Sequence, residues 1–380
     1  MNSRFQVLSP KLGRSLALAG LIAVLAACSS TDKIKPAELA PNVVLQPVRA
    51  AWTAQIGAVN FPLQPNVQGT TLTLAASDGT VAALDALSGR DLWRVQVGAP
   101  IIAGVGSDGK TAAVVTSEND VVAIESGRVL WRQKLPAQAY TPPLVAGGRV
   151  FVVSADRSVT ALDGASGRKL WTQPRPGDAL VLKQSGVLLA VGDTLVVGQS
   201  GHLLGLNPSN GSVRWDATIA TARGTNDVER LIDLVGRVSR VGNVVCARAF
   251  QSTVGCVDAT RGQVQWSKKS NGSVGVDGDE KLVIGAEADG KLVAWNRADG
   301  ERVWSSELLM YRDLSAPLLV GKSMLVGDGT GLLHVLSREN ASPLNRLATD
   351  GSAISVSPVL AGKTIVAVTR NGGVYGFVPE

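Results

Sequence analysis

The chain has 380 residues, 45% apolar and 18% charged, with 42 glycines and 17 prolines, which excludes wholesale disorder and, without a glycine period, a collagen-like fibre. The formal net charge of +6 does not make a nucleic-acid footprint. Three of the cations, Arg4, Lys11 and Arg14, fall in an acid-free leader, and the remaining Lys and Arg form no cluster.

Positions 16–25 are a continuous apolar run behind a short basic stretch. The run is too short to span a bilayer comfortably and too uniform for an amphipathic helix, so it reads as the core of a secretory signal. It ends in Leu25-Ala26-Ala27-Cys28, which resembles the bacterial lipobox and implies Cys28 as a lipidated mature N-terminus. The competing reading is an ordinary cleaved signal with an incidental cysteine. Acyl chains contribute about 0.8 kcal/mol per buried methylene, enough for several to hold a soluble domain at a membrane. Ser29 follows the cysteine, where an Asp would resemble the inner-membrane retention signal, so the outer membrane is the expected destination. The expected organisation is a signal over 1–27, a lipidated tether over 28–47 carrying Pro36, Pro41 and Pro47, and one domain over 48–380.

The domain opens on a strand-like stretch with Trp52, and tryptophans then recur at Trp93, Trp131, Trp171, Trp215, Trp266 and Trp304. Each of these six closes a copy of A-x-D-x-x-x-G-x-x-x-W, seen most fully at Ala83, Asp85, Gly89 and Trp93, and shortened between Ala123 and Trp131. A further unit places Asn345 where tryptophan would stand, which gives spacings of 41, 38, 40, 44, 51, 38 and 41 residues. A period near 40 with four strand-like runs per unit is the signature of a β-propeller blade. The unit before Trp171 shows the runs as 144–146, 150–154, 158–163 and the stretch opening at Lys169, separated by Gly147-Gly148 and the turn at 155–157. Asp-Gly pairs at 78–79 and 289–290 read as turn formers, with Ca²⁺ binding the lesser alternative.

The chain's two ends are complementary. After Asn345 only three strands are expected, near 354–358, 364–369 and 373–378, while the strand around Trp52 has no blade before it. If that strand completes the last sheet, the ring closes without an open edge. The fold class is therefore all-β: an eight-bladed β-propeller closed by an N-terminal strand, with seven blades as the alternative because the Asn345 unit is degenerate.

The long spacings mark insertions, which in propellers map to loops where partners dock. The first holds Leu180, Leu182 and Lys183; the second holds Arg230 and Asp233. Between them and the next tryptophan, Cys246 and Cys256 flank a hairpin. They face each other if its turn centres on Gln251, leaving either a stapling disulfide or two separate buried thiols. No C-x-x-C, nucleophile elbow or P-loop appears, and His202 and His334 have no ligand partner at metal-binding spacing in the sequence, so no metal, cofactor or catalytic residue is assigned.

The repeat resembles the tryptophan-docking motif of the quinoprotein alcohol dehydrogenases, which implies an alternative as a periplasmic enzyme using pyrroloquinoline quinone with Ca²⁺. The chain is much shorter than those enzymes and lacks an adjacent cysteine pair, and blade-to-blade packing accounts for its tryptophans. Lipobox, eight docking repeats and length together resemble the BamB family of outer-membrane-protein assembly factors. That resemblance implies a non-catalytic lipoprotein scaffold facing the periplasm, bound to the POTRA domains of a BamA-like β-barrel protein beside other assembly lipoproteins. Unfolded outer-membrane proteins are further expected partners, and nucleic acid is not. A generic ligand- or cell-wall-binding propeller is a third reading.

Within that resemblance, Leu180-Val181-Leu182-Lys183 is similar to the family's L-x-L-R contact segment, with Lys183 replacing arginine. The stretch 229–235 is similar to its D-R-L-S-D-x-D loop: Asp233 matches, and Val235 stands where a second acid is usual. Lysine does not reproduce a bidentate arginine fork, so the resemblance implies a contact more apolar than usual.

Overall fold

A computed structural model describes residues 34–175, 181–222 and 231–380. Cys28, Leu180 and Arg230 lie outside the described residues. Among the described residues, 32 strands form eight four-stranded antiparallel sheets. Blades 1 to 7 span 66–96, 101–134, 144–173, 188–218, 234–269, 276–306 and 318–348. Blade 8 combines Val359–Ala361, Thr364–Val368 and Gly373–Pro379 with the N-terminal strand Val48–Gln55 as its outer edge. Register runs from Val48 opposite Pro379 to Gln55 opposite Gly373, so the ring has eight blades and the chain's two ends close it.

First strands of neighbouring blades touch around most of the ring, and that of blade 8 meets that of blade 1, so these strands line the axis. Middle strands such as Thr111–Thr116 are buried throughout, because both faces of each sheet pack on a neighbouring blade. Outer strands such as Asp91–Gln96 alternate between exposed and covered positions. The core is accordingly a set of inter-blade clusters: Val115 and Val121 of blade 2, for example, pack with Val150 and Leu162 of blade 3.

The strand expected near 354–358 falls instead at Val359–Ala361. Ile354 and Val356 are apolar because they are buried in the connection to blade 8, with the Ile354 N–H donating to Asp328 O at 3.0 Å. An apolar run marks burial, and here the burial is of a loop.

The repeat motif resolves into four roles. The small residue faces its own tryptophan across the last hairpin, as Ala83 faces Trp93 and Ala294 faces Trp304, and a β-bulge follows at each pair. The Asp or Asn caps the turn: Asp85 accepts from the Leu87 N–H and Ser88 Oγ, and Asp258 from the Thr260 N–H and Oγ1. The glycine sits under the tryptophan of the preceding blade, and the tryptophan reaches the next blade. Trp52, Trp131, Trp171, Trp266 and Trp304 donate Nε1–H to Ala86, Gly164, Pro208, Arg297 and Arg338 carbonyls at 2.7–3.0 Å.

Asn345 breaks the pattern where the clasp has no receiver. The outer strand of blade 8 comes from the N-terminal side of the chain, so no motif hairpin joins its third and fourth strands for a blade 7 tryptophan to grip. Residues 40–46 take that place. Asn345 Nδ2 donates to Gln46 O at 2.9 Å, Asn42 Nδ2 donates to Asn345 Oδ1 at 3.2 Å, and the carbonyl of the bulged residue Leu344 accepts the Leu45 and Gln46 N–H groups. Further back, the Ala37 N–H donates to Met310 O and Arg312 Nη1 donates to Ala37 O, both at 2.9 Å. The compact unit therefore begins at Ala37, not at residue 48, because hydrogen bonds bind the second half of the expected tether to blades 6 and 7.

Cys246 and Cys256 face each other on adjacent strands of blade 5, and their sulfurs are bonded. Both are fully buried, so the link staples a blade interior. Without reductant, denatured protein is expected to show no alkylation at Cys246 or Cys256 by peptide mass mapping; modification of both would refute the bond.

Candidate partner-docking site

Two insertions from separate parts of the chain meet on the face where the first strands begin. One covers 181–187, between blades 3 and 4; the other covers 231–237, leading into blade 5. Asp233 ties them. Its Oδ2 accepts the Leu182 N–H at 3.0 Å, and its Oδ1 lies 3.1 Å from Arg157 Nη1. Backbone bonds reinforce the junction: the Gly236 N–H donates to Ser185 O at 2.8 Å, and the Gly186 N–H to Thr141 Oγ1 at 3.1 Å. Glycine is needed at 186, where a Cβ would stand 2.7 Å from that hydroxyl.

Arg157 belongs to the turn between the second and third strands of blade 3, and its carbonyl accepts from Gln199 Nε2 of blade 4 at 2.7 Å. Its φ of +64° is left-handed, as at the corresponding Gly79 and Gly290. A non-glycine residue there costs about 1–2 kcal/mol. The buried ion pair with Asp233 holds it in place, with their side chains only 6% and 16% exposed. Sequence reasoning missed Arg157, although one signal existed: an arginine stands where blades 1, 6 and 8 carry the turn glycines Gly79, Gly290 and Gly372.

The expected contact residues therefore divide. Lys183 is exposed and Leu182 half-buried, and Leu182 lines a small cavity at the junction with Tyr140 and Gln184. Asp233 is turned inward and satisfied within the protein. Val235, where the resemblance leads one to look for an acid, is 1% exposed on the first strand of blade 5. An acid there would enter the core. Beneath the junction lies a small cavity of about 50 Å³.

The histidines do have acidic partners, which the sequence spacing did not show. His202 Nδ1 lies 2.7 Å from Asp216 across a hairpin, and His334 Nε2 lies 2.9 Å from buried Asp328. Among the described residues, no three His, Cys, Asp or Glu side chains converge as a metal site would require. The Asp-Gly pairs serve their own turns: Asp78 Oδ1 accepts the Thr80 N–H and Asp289 Oδ1 the Lys291 N–H.

Comparison with known proteins places this geometry. The family model described as outer membrane protein assembly factor BamB matches residues 77–306. The protein of that name from Burkholderia pseudomallei is 35% identical over 371 residues, covering 96% of this chain and 97% of its own. The crystal structure of BamB from Moraxella catarrhalis superposes with a TM-score of 0.80 at 22% identity, over 87% of this chain and 100% of that one. Quinohemoprotein alcohol dehydrogenase from Comamonas testosteroni shares the fold at a TM-score of 0.69 with 13% identity, over 90% of this chain and 79% of its own. Near-complete coverage by a relative above 30% identity, together with a family match across most of the blades, decides the assignment: this chain belongs to the outer membrane protein assembly factor BamB family.

Proposed function

We propose that this protein is a non-catalytic scaffold for the assembly of β-barrel proteins into the outer membrane. In this reading it is anchored by acyl chains on Cys28, faces the periplasm, and works beside other assembly lipoproteins. Its docking surface is the junction of 181–187 with 231–235, and its partner is a BamA-like β-barrel protein with POTRA domains. The observation that carries the reading is the Asp233–Leu182 tie, which brings two insertions into one surface on the ring. Exposed Lys183 and half-buried Leu182 form the contact, and Asp233 acts as a positioning residue.

The quinoprotein alternative is disfavoured by what fills the axis. Gln64 Nε2 hydrogen-bonds Ser185 Oγ across the channel, and Arg237 Nη1 donates to Pro358 O at 3.1 Å, so side chains block the middle of the ring.

Mild-detergent affinity purification of the lipidated protein from its native envelope is expected to recover a POTRA-containing β-barrel protein. Leu182→Asp combined with Lys183→Glu should reduce the recovery about tenfold, in keeping with the loss of an interface anchor. Recovery without any such protein defeats the function, and undiminished recovery with the double variant defeats the site.

A further inference from the structure

The hydrogen bonds along residues 37–46 do more than complete blade 7. They lay the chain down the rim of blades 6 and 7. The Ala37 N–H donates to Met310 O at 2.9 Å, Arg346 Nη2 to Ala40 O at 2.6 Å, and the Leu45 N–H to Leu344 O at 2.8 Å. The free part of the tether therefore shrinks from the expected 28–47 to the eight residues 29–36. Fully extended, the stretch from Cys28 to Ala37 spans at most roughly 30 Å.

The same rim gathers exposed apolar side chains. Among the described residues from Ala37 onward, twelve large apolar side chains are exposed, and six of them are here. They are Val43, Val44 and Leu45 on the bound strap, Val303 on the outer strand of blade 6, and Leu308 and Tyr311 in the loop to blade 7. The other six are divided among blades 1, 2, 4 and 8. Backbone bonds hold the strap while its side chains face outward, with Val44 62% and Leu45 72% exposed. Buried Leu309 and Arg312 fix the loop from beneath, which leaves Leu308 and Tyr311 on its outer side. Local charge is paired: Lys291 meets Glu307 at 2.8 Å, and Lys268 meets Glu301.

We propose that the rim of blades 6 and 7 lies against the membrane surface, a second contact beside the acyl chains. The short tether brings this rim, and not the docking junction across the ring on blades 3 to 5, nearest to the anchor. Apolar side chains bury in the interfacial layer of a bilayer, and tyrosine suits its mixed polarity. With the neighbouring charges paired, the contact rests on apolar burial and needs no anionic lipid. A weak contact suffices, because the anchor makes it intramolecular. The propeller then stands edge-on to the lipid with its docking junction free. The inference rests on the lipid anchor proposed above.

The test uses the lipidated full mature chain in phosphatidylcholine vesicles. Val44→Cys, Leu308→Cys and, on blade 1, Leu87→Cys each carry an environment-sensitive dye. Cys246 and Cys256 are bonded and do not compete for it. All three positions are exposed, so the substitutions leave the core intact. Lipid bearing a nitroxide near its headgroup is expected to quench most of the emission at positions 44 and 308 and little of that at 87. Quenching at 44 and 308 no greater than at 87 overturns the proposal. Dyes at 44 and 308 that are shielded from water yet escape the nitroxide would assign the rim to a second copy of the chain, which also overturns it. Mass spectrometry keeps the two readings apart. Protein lacking acyl chains defeats the anchor and the rim contact together, whereas acylated protein with unquenched dyes defeats the rim contact alone.

Discussion

Trp266→Ala is expected to lower the stability of the propeller by about 3–5 kcal/mol, as for other large aromatic truncations in cores. The indole is 6% exposed, fills the space between blades 5 and 6, and donates to Arg297 O at 2.7 Å. Beneath it is Gly300, where φ is +73° and a Cβ would stand 2.4 Å from the indole ring. Gly300→Val meets two penalties, left-handed backbone for a branched residue and overpacking, together about 2–5 kcal/mol. Gly321→Val, at φ +56° with nothing within 4 Å of the added Cβ, meets only the first. Ala341 fills the equivalent place beside Trp304 at φ +61°, so a single methyl group is tolerated there; hence valine is the informative substitution. Combining Trp266→Ala with Gly300→Val relieves the clash, and the pair should cost less than the sum of the two singles. Urea denaturation reads all four proteins, and simple additivity would show that the stack is not a coupled clasp.

The second large effect concerns the buried group on blade 7. Asp328 is fully buried, 2.8 Å from Arg312 Nε and 2.9 Å from His334 Nε2, and also accepts from the Thr330 and Leu332 N–H groups. Burial pushes its carboxyl upward, but the bonds from His334, Leu332, Arg312 and Thr330 outweigh it and hold the group well below the ordinary carboxylate range. A carboxyl depressed on folding contributes stability that is fully present above its unfolded value near 3.8 and is lost as pH falls below it toward the folded value. Urea midpoints of the wild type should therefore drop below about pH 4. Asp328→Asn should lose about 3–5 kcal/mol at neutral pH, because Arg312 and His334 lose their anionic partner. Its midpoint should fall less steeply below pH 4, and an unchanged acid slope would assign the wild-type loss to other carboxyls. Because Arg312 also holds Ala37 O, the same variant should speed amide hydrogen exchange at Ala37.

Much of the architecture was legible because the repeat is local chemistry written seven times, six copies closing on tryptophan and one on Asn345. Each turn must close a hairpin with nearby residues, so Asp85, Gly89 and Trp93 stand at fixed offsets and can be counted. The degenerate unit at Asn345 was legible as an irregularity but not as a consequence. Asn345 replaces tryptophan because the neighbouring blade is completed by the chain's other end, and a residue some 300 positions away, Gln46, fills the clasp. The docking surface was half legible. Long spacings located both insertions, yet nothing in a linear pattern showed that Asp233 faces inward to Arg157 and Leu182, or that Val235 is core.

By itself the sequence determined the all-β propeller class, a ring of eight blades with seven as the alternative, the candidate closing strand and the positions of the insertions. These follow from periodicity, turn chemistry and counting, which act over a few residues at a time. Only the tertiary structure decided that the tether is bound from Ala37 onward, that the histidines rest on Asp216 and Asp328, and that Gln64 and Arg237 block the axis. Those features depend on side chains from different blades meeting at hydrogen-bond distance, and ring closure brings together residues that no spacing rule connects.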